Sequence, residues 1–173
     1  MSKIITAVEG FAIPDALKGS KIAQIAILVP DLKEAVAKWS LLLGNSEWAI
    51  YTYHSGNVSD LTYRQTPGKF KLRLALCGSG PQIELIESLE GPSIYEDFIR
   101  THGYGLHHLG IFVDSIKDTV QQMTDHGFKV TQSGRGYGLD GDGGFAYFDE
   151  DSTNGVILET IEVPRRRRPS EQL

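Results

Sequence analysis

Cysteine and long apolar runs are what this 173-residue chain has least of. Its single cysteine, Cys77, excludes an intrachain disulfide, and such scarcity is typical of a reducing compartment. No apolar run reaches the length that spans a membrane, and the first residues lack the basic segment and apolar core of a secretory signal. These absences predict a soluble, cytoplasmic protein without a membrane partner.

Neither sign of charge dominates the chain. It has 17 Lys and Arg residues against 22 Asp and Glu residues, which gives a formal net charge of -5. An acidic balance argues against general nucleic-acid binding, which requires a basic surface. The length suits one domain or two small, tightly joined modules, and it is enough to bury a core without disulfides.

A stretch near the beginning of the chain recurs in its second half. Residues 23–36 align without a gap with residues 107–120, and the apolar positions of the two stretches match. In this alignment Gln24 falls on His108. Each stretch begins with an apolar run that ends at turn residues, which predicts a buried strand carrying one nitrogen or oxygen donor.

A second pair of matching stretches closes each copy of the repeat. Residues 82–87 resemble residues 157–162, so that Glu84 falls on Glu159. Each copy therefore begins with a strand that carries an amide or imidazole and ends with a strand that carries a carboxylate. Four donors at equivalent positions in two copies can converge on one point if the copies pack about a pseudo-twofold axis.

Turn and capping signals give each copy the element order β-α-β-β-β. Asp31 is placed to cap a helix from Leu32 to Leu43, and a second helix is expected from about Ile116 to His126. A unit of this kind has open sheet edges and an unburied concave face, so pairing two units covers edges and forms a cleft. The expected fold class is α+β, with two tandem βαβββ modules that form one curved, mixed or antiparallel sheet.

The same signals predict the segment boundaries along the chain. The segments are an N-terminal extension (1–20), a first βαβββ module (21–92), a connector helix and turn (93–104), a second βαβββ module (105–163) and a basic tail (164–173). The arginine run from Arg165 to Arg168 predicts that the tail is solvated and disordered. Glycines between Ser133 and Gly144 predict a loop over the cleft.

Three motifs, in this order along the chain, resemble those of a known family. They are residues 82–94, the stretch Gly105-Leu106-His107-His108-Leu109-Gly110, and residues 155–159. Together with the repeat, they resemble the vicinal oxygen chelate superfamily, and within it the glyoxalase I and methylmalonyl-CoA epimerase group. The resemblance covers about residues 21–162.

The resemblance implies a central metal-binding cleft with four ligands, carried over position by position: Gln24, Glu84, His108 and Glu159. Oxygen donors with one imidazole suit nickel, cobalt, zinc or manganese, with iron less favoured. The implied activity is that of a divalent-metal-dependent isomerase, epimerase or lyase that removes a proton next to a carbonyl of a metal-chelated substrate. Glu159 is the implied proton acceptor, with Glu84 as its partner.

The implied partners are a small-molecule substrate, such as a thioester or a glutathione adduct, and a second copy of the chain in a homodimer. Two positions depart from the family pattern. Gln24 stands where epimerases usually have histidine, although some glyoxalases I have glutamine there. The additional acid/base glutamate of epimerases falls near Gly68, where the sequence has no acid.

Three further residues are candidate substrate contacts. Tyr137 and Arg135 belong to the expected loop over the cleft, and Arg73 lies on a strand of the first module. An arginine in such a place can pair with an anionic group of a substrate. The two-residue period of a strand predicts that His107 faces away from His108, which indicates a structural role for His107.

Other interpretations remain open at this point. His108 suits a core histidine bonded to backbone, and the two glutamates suit a solvent-facing side of the sheet. A metal-free protein that binds a drug or natural product has the same fold but usually lacks the ligands. An extradiol dioxygenase is a third possibility, but its iron requires two histidines and one carboxylate, and Gln24 argues against it.

Overall fold

The computed structural model describes residues 14–170 and contains one ten-stranded sheet with three α-helices in that range. The strands are β1 (Ile22–Leu28), β2 (Ala49–His54), β3 (Ser59–Tyr63), β4 (Thr66–Pro67), β5 (Lys71–Cys77), β6 (Gln82–Glu90), β7 (Gly105–Phe112), β8 (Val130–Tyr137), β9 (Gly143–Phe148) and β10 (Ile157–Glu162). The helices are α1 (Leu32–Leu43), α2 (Ile94–His102) and α3 (Ile116–Asp125).

Local capping sets where the helices begin. The Asp31 carboxylate accepts a hydrogen bond from the Glu34 amide at 2.7 Å, and the Ser115 hydroxyl accepts one from the Asp118 amide at 3.2 Å. Both bonds satisfy amides that have no partner within the first helical turn. Gly44 ends α1 in the left-handed region, at φ 61°.

The sheet joins two similar halves at its centre. Its strand order is β2-β5-β6-β1-β7-β10-β9-β8-β3-β4. β1 and β7 pair antiparallel in the middle, and each has a parallel neighbour that closes its own copy of the repeat, β6 for β1 and β10 for β7. The α+β class and the curved mixed sheet predicted from the sequence are confirmed.

The β3–β4 hairpin departs from the simple module. It pairs with β8 of the other half, where Thr62 lies opposite Ser133. Their hydroxyls are 2.8 Å apart, and the Ser133 amide donates to the Thr62 hydroxyl at 3.1 Å. The hairpin thus satisfies an edge of β8 that would otherwise be open, and it brings the two halves together around the concave face.

Helices α1 and α3 cover the convex side of the two halves. Leu32 on α1 is fully buried with Leu85 of β6, and Met123 on α3 is fully buried with Phe148 of β9. Burying one such side chain contributes about 1.5–3 kcal/mol. A third cluster, rich in tyrosine, lies within the curl of the sheet. The helices therefore leave the concave face to the candidate site.

Two segments differ from their predicted conformation. Residues 133–137 continue β8, so that the expected loop is confined to the shorter turn before Gly143. The described part of the tail, residues 164–170, packs on the protein, because the Ser170 amide donates to the Ile50 carbonyl at 2.7 Å and the Leu139 amide donates to the Arg166 carbonyl at 2.9 Å. The prediction of a disordered tail is therefore wrong for these residues. Residues 1–13 of the N-terminal extension and residues 171–173 of the tail lie outside the described range.

No helix in the described part of the chain combines the length and the apolar character needed to cross a membrane.

Candidate metal centre

The four residues that the repeat aligns lie on four neighbouring strands. Gln24 is on β1, Glu84 on β6, His108 on β7 and Glu159 on β10. All are buried, with between 1% and 5% of their surface exposed. Because β6, β1, β7 and β10 are consecutive in the sheet, the structure brings the four side chains to its centre.

The pairing of β1 with β7 is symmetric about a pseudo-twofold axis that passes between Ile25 and Leu109, which lie opposite each other. On one side of that pair Gln24 lies opposite Gly110, and on the other His108 lies opposite Ala26. The outer strands follow the same rule, because Glu84 is beside Ala26 and Glu159 is beside Gly110. The pseudo-twofold arrangement inferred from the repeat is thus present in the register.

Small residues opposite the donors leave them space. A Cβ on Gly110 would lie 2.9 Å from the Gln24 Cβ and 3.0 Å from its Oε1. The position therefore accepts no side chain unless Gln24 moves. Ala26, at the equivalent place opposite His108, has the smallest side chain that a residue other than glycine can offer.

A β-bulge precedes the donor in each of the two central strands. The register passes from Ile22 to Gln24 on β1 while the partner advances by one residue, and on β7 it skips His107 in the same way. The extra residue of a bulge changes the direction in which neighbouring side chains point. Ala23 and His107 are those extra residues, and they are also equivalent in the repeat.

The bulge explains why the prediction for His107 is wrong. His107 does not face away from His108: both rings are buried and their Nδ1 atoms are 2.8 Å apart. Burial, helped by the neighbouring His108, holds the pKa of His107 well below its usual value, so His107 is neutral. A hydrogen bond between the two Nδ1 atoms leaves His108 Nε2 to face the carboxylates.

The donor atoms converge as they would around an ion. His108 Nε2 is 3.0 Å from Glu159 Oε2 and 3.4 Å from Glu84 Oε2. Ligand atoms about 2.0–2.1 Å from one ion are about 2.8–3.4 Å from each other at octahedral or tetrahedral angles. Yet His108 Nε2, Glu84 Oε2 and Gln24 Oε1 are buried without a hydrogen-bond partner of good geometry. Buried polar atoms without partners are costly, and a cation satisfies all three.

Electrostatics in this group are strongly coupled. Burial raises the pKa of Glu84, and the nearby Glu159 carboxylate raises it further. Burial alone lowers the pKa of His108, but the two carboxylates outweigh burial and raise it to about 9. Without a metal, the imidazole is therefore protonated at neutral pH and shares one positive charge between two carboxylates. A divalent cation would balance both.

A cavity with about 50 Å³ of space open to water lies within the curl of the sheet. Three of the candidate ligands line it, namely Gln24, Glu84 and Glu159, and the fully buried His108 lies behind the carboxylates. The remaining walls are mainly aromatic and aliphatic, with Tyr137 among them. We call this space the inner cavity.

Of the three predicted substrate contacts, Tyr137 lines the inner cavity, whereas Arg135 and Arg73 do not. Tyr137 is buried in its wall, and its hydroxyl donates to the Glu162 carbonyl at 3.3 Å. Arg135 is exposed, and Arg73 extends from the opposite face of β5 to Leu72 and contacts Glu87. Neither arginine lines the cavity: Arg73 alternates along β5 with the lining residue Leu72, and a register shift in β8 separates the exposed Arg135 from the buried Tyr137. The structure therefore does not bring these two arginines to the inner cavity.

Arg167 is a charged residue of the cavity wall that the sequence interpretation did not single out. It is half-buried and lies in a segment expected to be solvated. Its guanidinium carbon is 5.5 Å from the centre of the Tyr51 ring. A run of arginines carries no signal that singles out one member, so only the docking of the tail identifies Arg167.

Residues 23–148 match the family model of the Glyoxalase/Bleomycin resistance protein/Dioxygenase superfamily. The chain belongs to this superfamily. The resemblance to vicinal oxygen chelate proteins is therefore confirmed, and the matched region contains three of the four candidate ligands.

Curated protein sequences are similar to parts of the chain. An uncharacterized protein of Bacillus subtilis, YqjC, is 28% identical over 109 residues, which are 61% of this chain and 77% of the relative. The 4-hydroxyphenylpyruvate dioxygenase of Pseudomonas aeruginosa is 31% identical over 88 residues, 47% of this chain but only 24% of that protein. The chain thus spans about a quarter of the dioxygenase that it matches.

Solved structures share the fold. Methylmalonyl-CoA epimerase of Streptomyces coelicolor superposes with a TM-score of 0.59 at 15% identity and covers 87% of this chain and 99% of its own. The epimerase of Mycobacterium tuberculosis gives 0.56 at 19% identity, covering 90% of this chain and 95% of its own. A hypothetical protein of Bacillus halodurans, BH1468, gives 0.57 at 24% identity and covers 87% of this chain and 99% of its own.

Proposed function

We propose that this superfamily member is a divalent-metal-dependent isomerase, epimerase or lyase that removes a proton next to a carbonyl group. The observation that carries the proposal is the convergence of buried ligand atoms from Glu84, His108 and Glu159, with the repeat-equivalent Gln24 buried in the wall of the same cavity. Three donor atoms, His108 Nε2, Glu84 Oε2 and Gln24 Oε1, have no hydrogen-bond partner of good geometry, and a bound cation would satisfy all three.

The donor set fits a borderline or hard divalent ion. Gln24 Oε1, His108 Nε2 and the carboxylates of Glu84 and Glu159 would hold it, and two carboxylates would make the loaded site formally neutral. A bound ion would polarise adjacent oxygen atoms of a substrate and stabilise the negative charge that develops when a neighbouring carbon loses its proton. Nickel, cobalt, zinc and manganese all suit this set.

The protein groups would move the proton. We assign Glu159 as the acceptor, because its carboxylate lines the inner cavity and comes from the half of the sheet opposite to Glu84. Glu84 also lines the cavity, so a proton can be removed beside one carboxylate and returned beside the other. The tyrosine and leucine side chains of the wall limit the amount of water around the two carboxylates.

The dimensions of the site favour a substrate with a small reacting end. The inner cavity is about 50 Å³, whereas a neighbouring outer pocket of about 460 Å³, lined by Trp48, Tyr51 and Gln82 among others, shares Leu76 and Arg167 with it. A carrier such as a thiol conjugate would therefore extend outwards. A solved epimerase of the same fold holds methylmalonyl-CoA, which supports the thioester class, although Gly68 and its neighbours supply no additional acid.

Metal analysis tests the proposal most directly. Protein purified without chelator or affinity metal would be analysed by plasma mass spectrometry, together with His108→Ala and the control His126→Ala. His126 is exposed beyond the end of α3, away from the site. We expect near-stoichiometric metal in the wild type and His126→Ala, and loss in His108→Ala. If neither purified nor metal-soaked wild type holds an ion, the proposal fails and a metal-free binding protein becomes the better interpretation.

Proton exchange then tests the chemistry. We would screen 2-oxoaldehyde thiohemiacetals and 2-substituted malonyl thioesters for exchange of the carbon-bound proton in D₂O by NMR. Glu159→Gln should abolish exchange while the protein keeps metal, because the amide cannot accept the proton. Exchange that continues in Glu159→Gln would contradict the role assigned to this residue.

An iron-dependent dioxygenase is the second candidate, because a relative with that name is 31% identical over 88 residues. An iron site with two histidines would require a second imidazole beside His108. His107 is the nearest in sequence, but its Nδ1 lies 2.8 Å from His108 Nδ1 and its ring does not line the inner cavity. Stoichiometric iron in the metal analysis would favour this candidate.

A further inference from the structure

Residues 164–170 form a strap that crosses from one half of the sheet to the other. At one end the Arg165 guanidinium contacts Asp142 at 2.7 Å, in the turn between β8 and β9. At the other end, the Ser170 hydroxyl accepts from the Thr52 amide at 3.0 Å on β2. Arg167 lies between these two attachments.

Three consecutive arginines of the strap have different surroundings. Arg165 pairs with Asp142, and Arg166 pairs with Asp140 through Nε and Oδ2 atoms 2.8 Å apart. Arg167 has no carboxylate within ion-pair distance among residues 14–170, although it is more buried than either neighbour. Its guanidinium lies near the Tyr51 ring, and its positive charge opposes the rise that burial causes in the pKa of Tyr53.

Arg167 is also where two spaces meet. It lines the inner cavity together with Glu84 and Glu159, and it lines the outer pocket together with Trp48 and Gln82. A ligand that extends from the candidate metal centre towards the outer pocket would lie beside this guanidinium. Arginine side chains in general carry a positive charge throughout the physiological pH range.

Charge balance indicates what such a ligand carries. With a divalent ion bound, the charges of Glu84 and Glu159 are neutralised and Arg167 is left with one positive charge at the mouth of the inner cavity. A half-buried cation without a counter-ion attracts an anion, and a guanidinium binds a carboxylate through two parallel hydrogen bonds. A single excess charge matches one carboxylate better than a doubly charged phosphate.

We propose that Arg167 is a specificity-determining residue that binds a carboxylate of the substrate beside its metal-chelating oxygen atoms. This inference rests on the proposed metal-dependent function. It narrows the substrate class to carboxylate-bearing molecules, for which the strap supplies the recognition group and the sheet supplies the chemistry.

Two isosteric chelators test the inference. Malonic acid monohydroxamate carries a carboxylate, whereas malonamide monohydroxamate carries a neutral amide in its place, and both chelate a metal through adjacent oxygen atoms. Their affinities for the cobalt-loaded protein would be measured by calorimetry in wild type, Arg167→Gln, Arg167→Lys and Arg168→Gln. The exposed Arg168 is the matched control, because its substitution removes the same charge from the same strap.

We expect the wild type and Arg168→Gln to bind the acid at least about ten-fold more tightly than the amide, as charge-assisted hydrogen bonds allow. Arg167→Gln should lose this preference, and Arg167→Lys should keep part of it because the charge remains. Equal affinities in the wild type, an unchanged preference in Arg167→Gln, or its complete loss in Arg167→Lys would each overturn the inference.

Cobalt affinity, measured first in each variant, separates this inference from the proposed function. If wild type binds no cobalt, the metal-dependent function fails before any chelator is added. If Arg167→Gln binds cobalt more tightly and shows the same acid preference as wild type, Arg167 only balances the carboxylates and the inference alone is overturned.

Discussion

The two halves of the molecule place their donors in the same way but hold them differently. Gln24 on β1 and His108 on β7 occupy equivalent positions, each after a bulge. The Gln24 amide nitrogen is held by Gln82 Oε1 at 3.1 Å, whereas the His108 ring is held by His107 at 2.8 Å. Backbone pairing thus reproduces the site twice, while the side chains that orient the donors are particular to each half.

The two donors are held differently because the residue paired beside each donor is polar in one half and apolar in the other. Gln82 pairs beside Gln24, but the equivalent neighbour of His108 is Ile157, which cannot hydrogen-bond. The second half therefore depends on the bulged His107, where the first half has Ala23. Substitutions at these positions distinguish the effect of backbone pairing on the site from the effect of the side chains, Gln82 and His107, that hold the donors in place.

Gly110→Ala should have the largest effect on stability. Its Cβ would meet Gln24 Cβ at 2.9 Å and Ile161 Cδ1 at 3.1 Å, and overpacking of this kind costs about 1–3 kcal/mol. Ala26→Gly, at the equivalent position, should cost only about 0.5–1 kcal/mol from chain entropy. Urea unfolding of both variants measures the asymmetry, and equal losses would contradict it.

His107→Ala should weaken metal binding by about 10- to 100-fold, because the hydrogen bond that orients His108 is lost. His107→Asn, which keeps a polar atom near the place of Nδ1, should retain more affinity. Competition against a metal indicator gives the affinities, and thermal unfolding of the metal-free variants shows whether the fold survives. If His107→Asn and His107→Ala lose the same affinity in folded protein, the hydrogen bond is not what matters.

Gln82→Leu should reduce metal affinity less than His107→Ala, by under about ten-fold, because a neutral amide donor needs less orientation than an imidazole. The same indicator assay applies. A loss as large as that of His107→Ala would mean that the two supports are equivalent after all.

Acid should release the strap from the protein surface, and we expect this to be the smallest of the effects. Hydrogen bonding to Arg166 lowers the pKa of Asp140, and hydrogen bonding to Arg165 lowers that of Asp142. Each lowered pKa means that the ionised carboxylate stabilises the docked strap at any pH above the ordinary pKa of aspartate. That stabilisation is lost as the pH falls through the lowered pKa, because the carboxylate becomes protonated. Hydrogen exchange at the Leu139 and Ser170 amides, corrected for intrinsic rates, should therefore become faster below about pH 4.

High salt offers an independent check on the strap, because exposed ion pairs are screened. Asp140→Asn combined with Asp142→Asn should expose the Leu139 amide at neutral pH and remove its response to salt. An exchange rate that is the same in wild type and double variant would mean that the backbone bond to the Arg166 carbonyl holds the strap without help from the ion pairs.

The features that depend on repetition and local capping were predictable from the amino-acid sequence alone. An ungapped repeat placed Gln24 with His108 and Glu84 with Glu159, because two copies of one unit that pair about a twofold must bring equivalent positions together. Asp31 marked the beginning of α1, since a helix cap is a local interaction. Family membership and the α+β class follow from the same patterns.

Other features depend on packing between distant parts of the chain, so the sequence did not predict them. The position of His107 depends on a bulge, and a bulge belongs to the register between two strands rather than to the periodicity of one. The β3–β4 hairpin crosses to β8 because an edge there is open, and the strap docks because Asp140 and Asp142 are held in reach of its arginines. The sequence could not distinguish Arg167 from the neighbouring arginines, because only non-local packing gives one arginine of the run a different environment from the next.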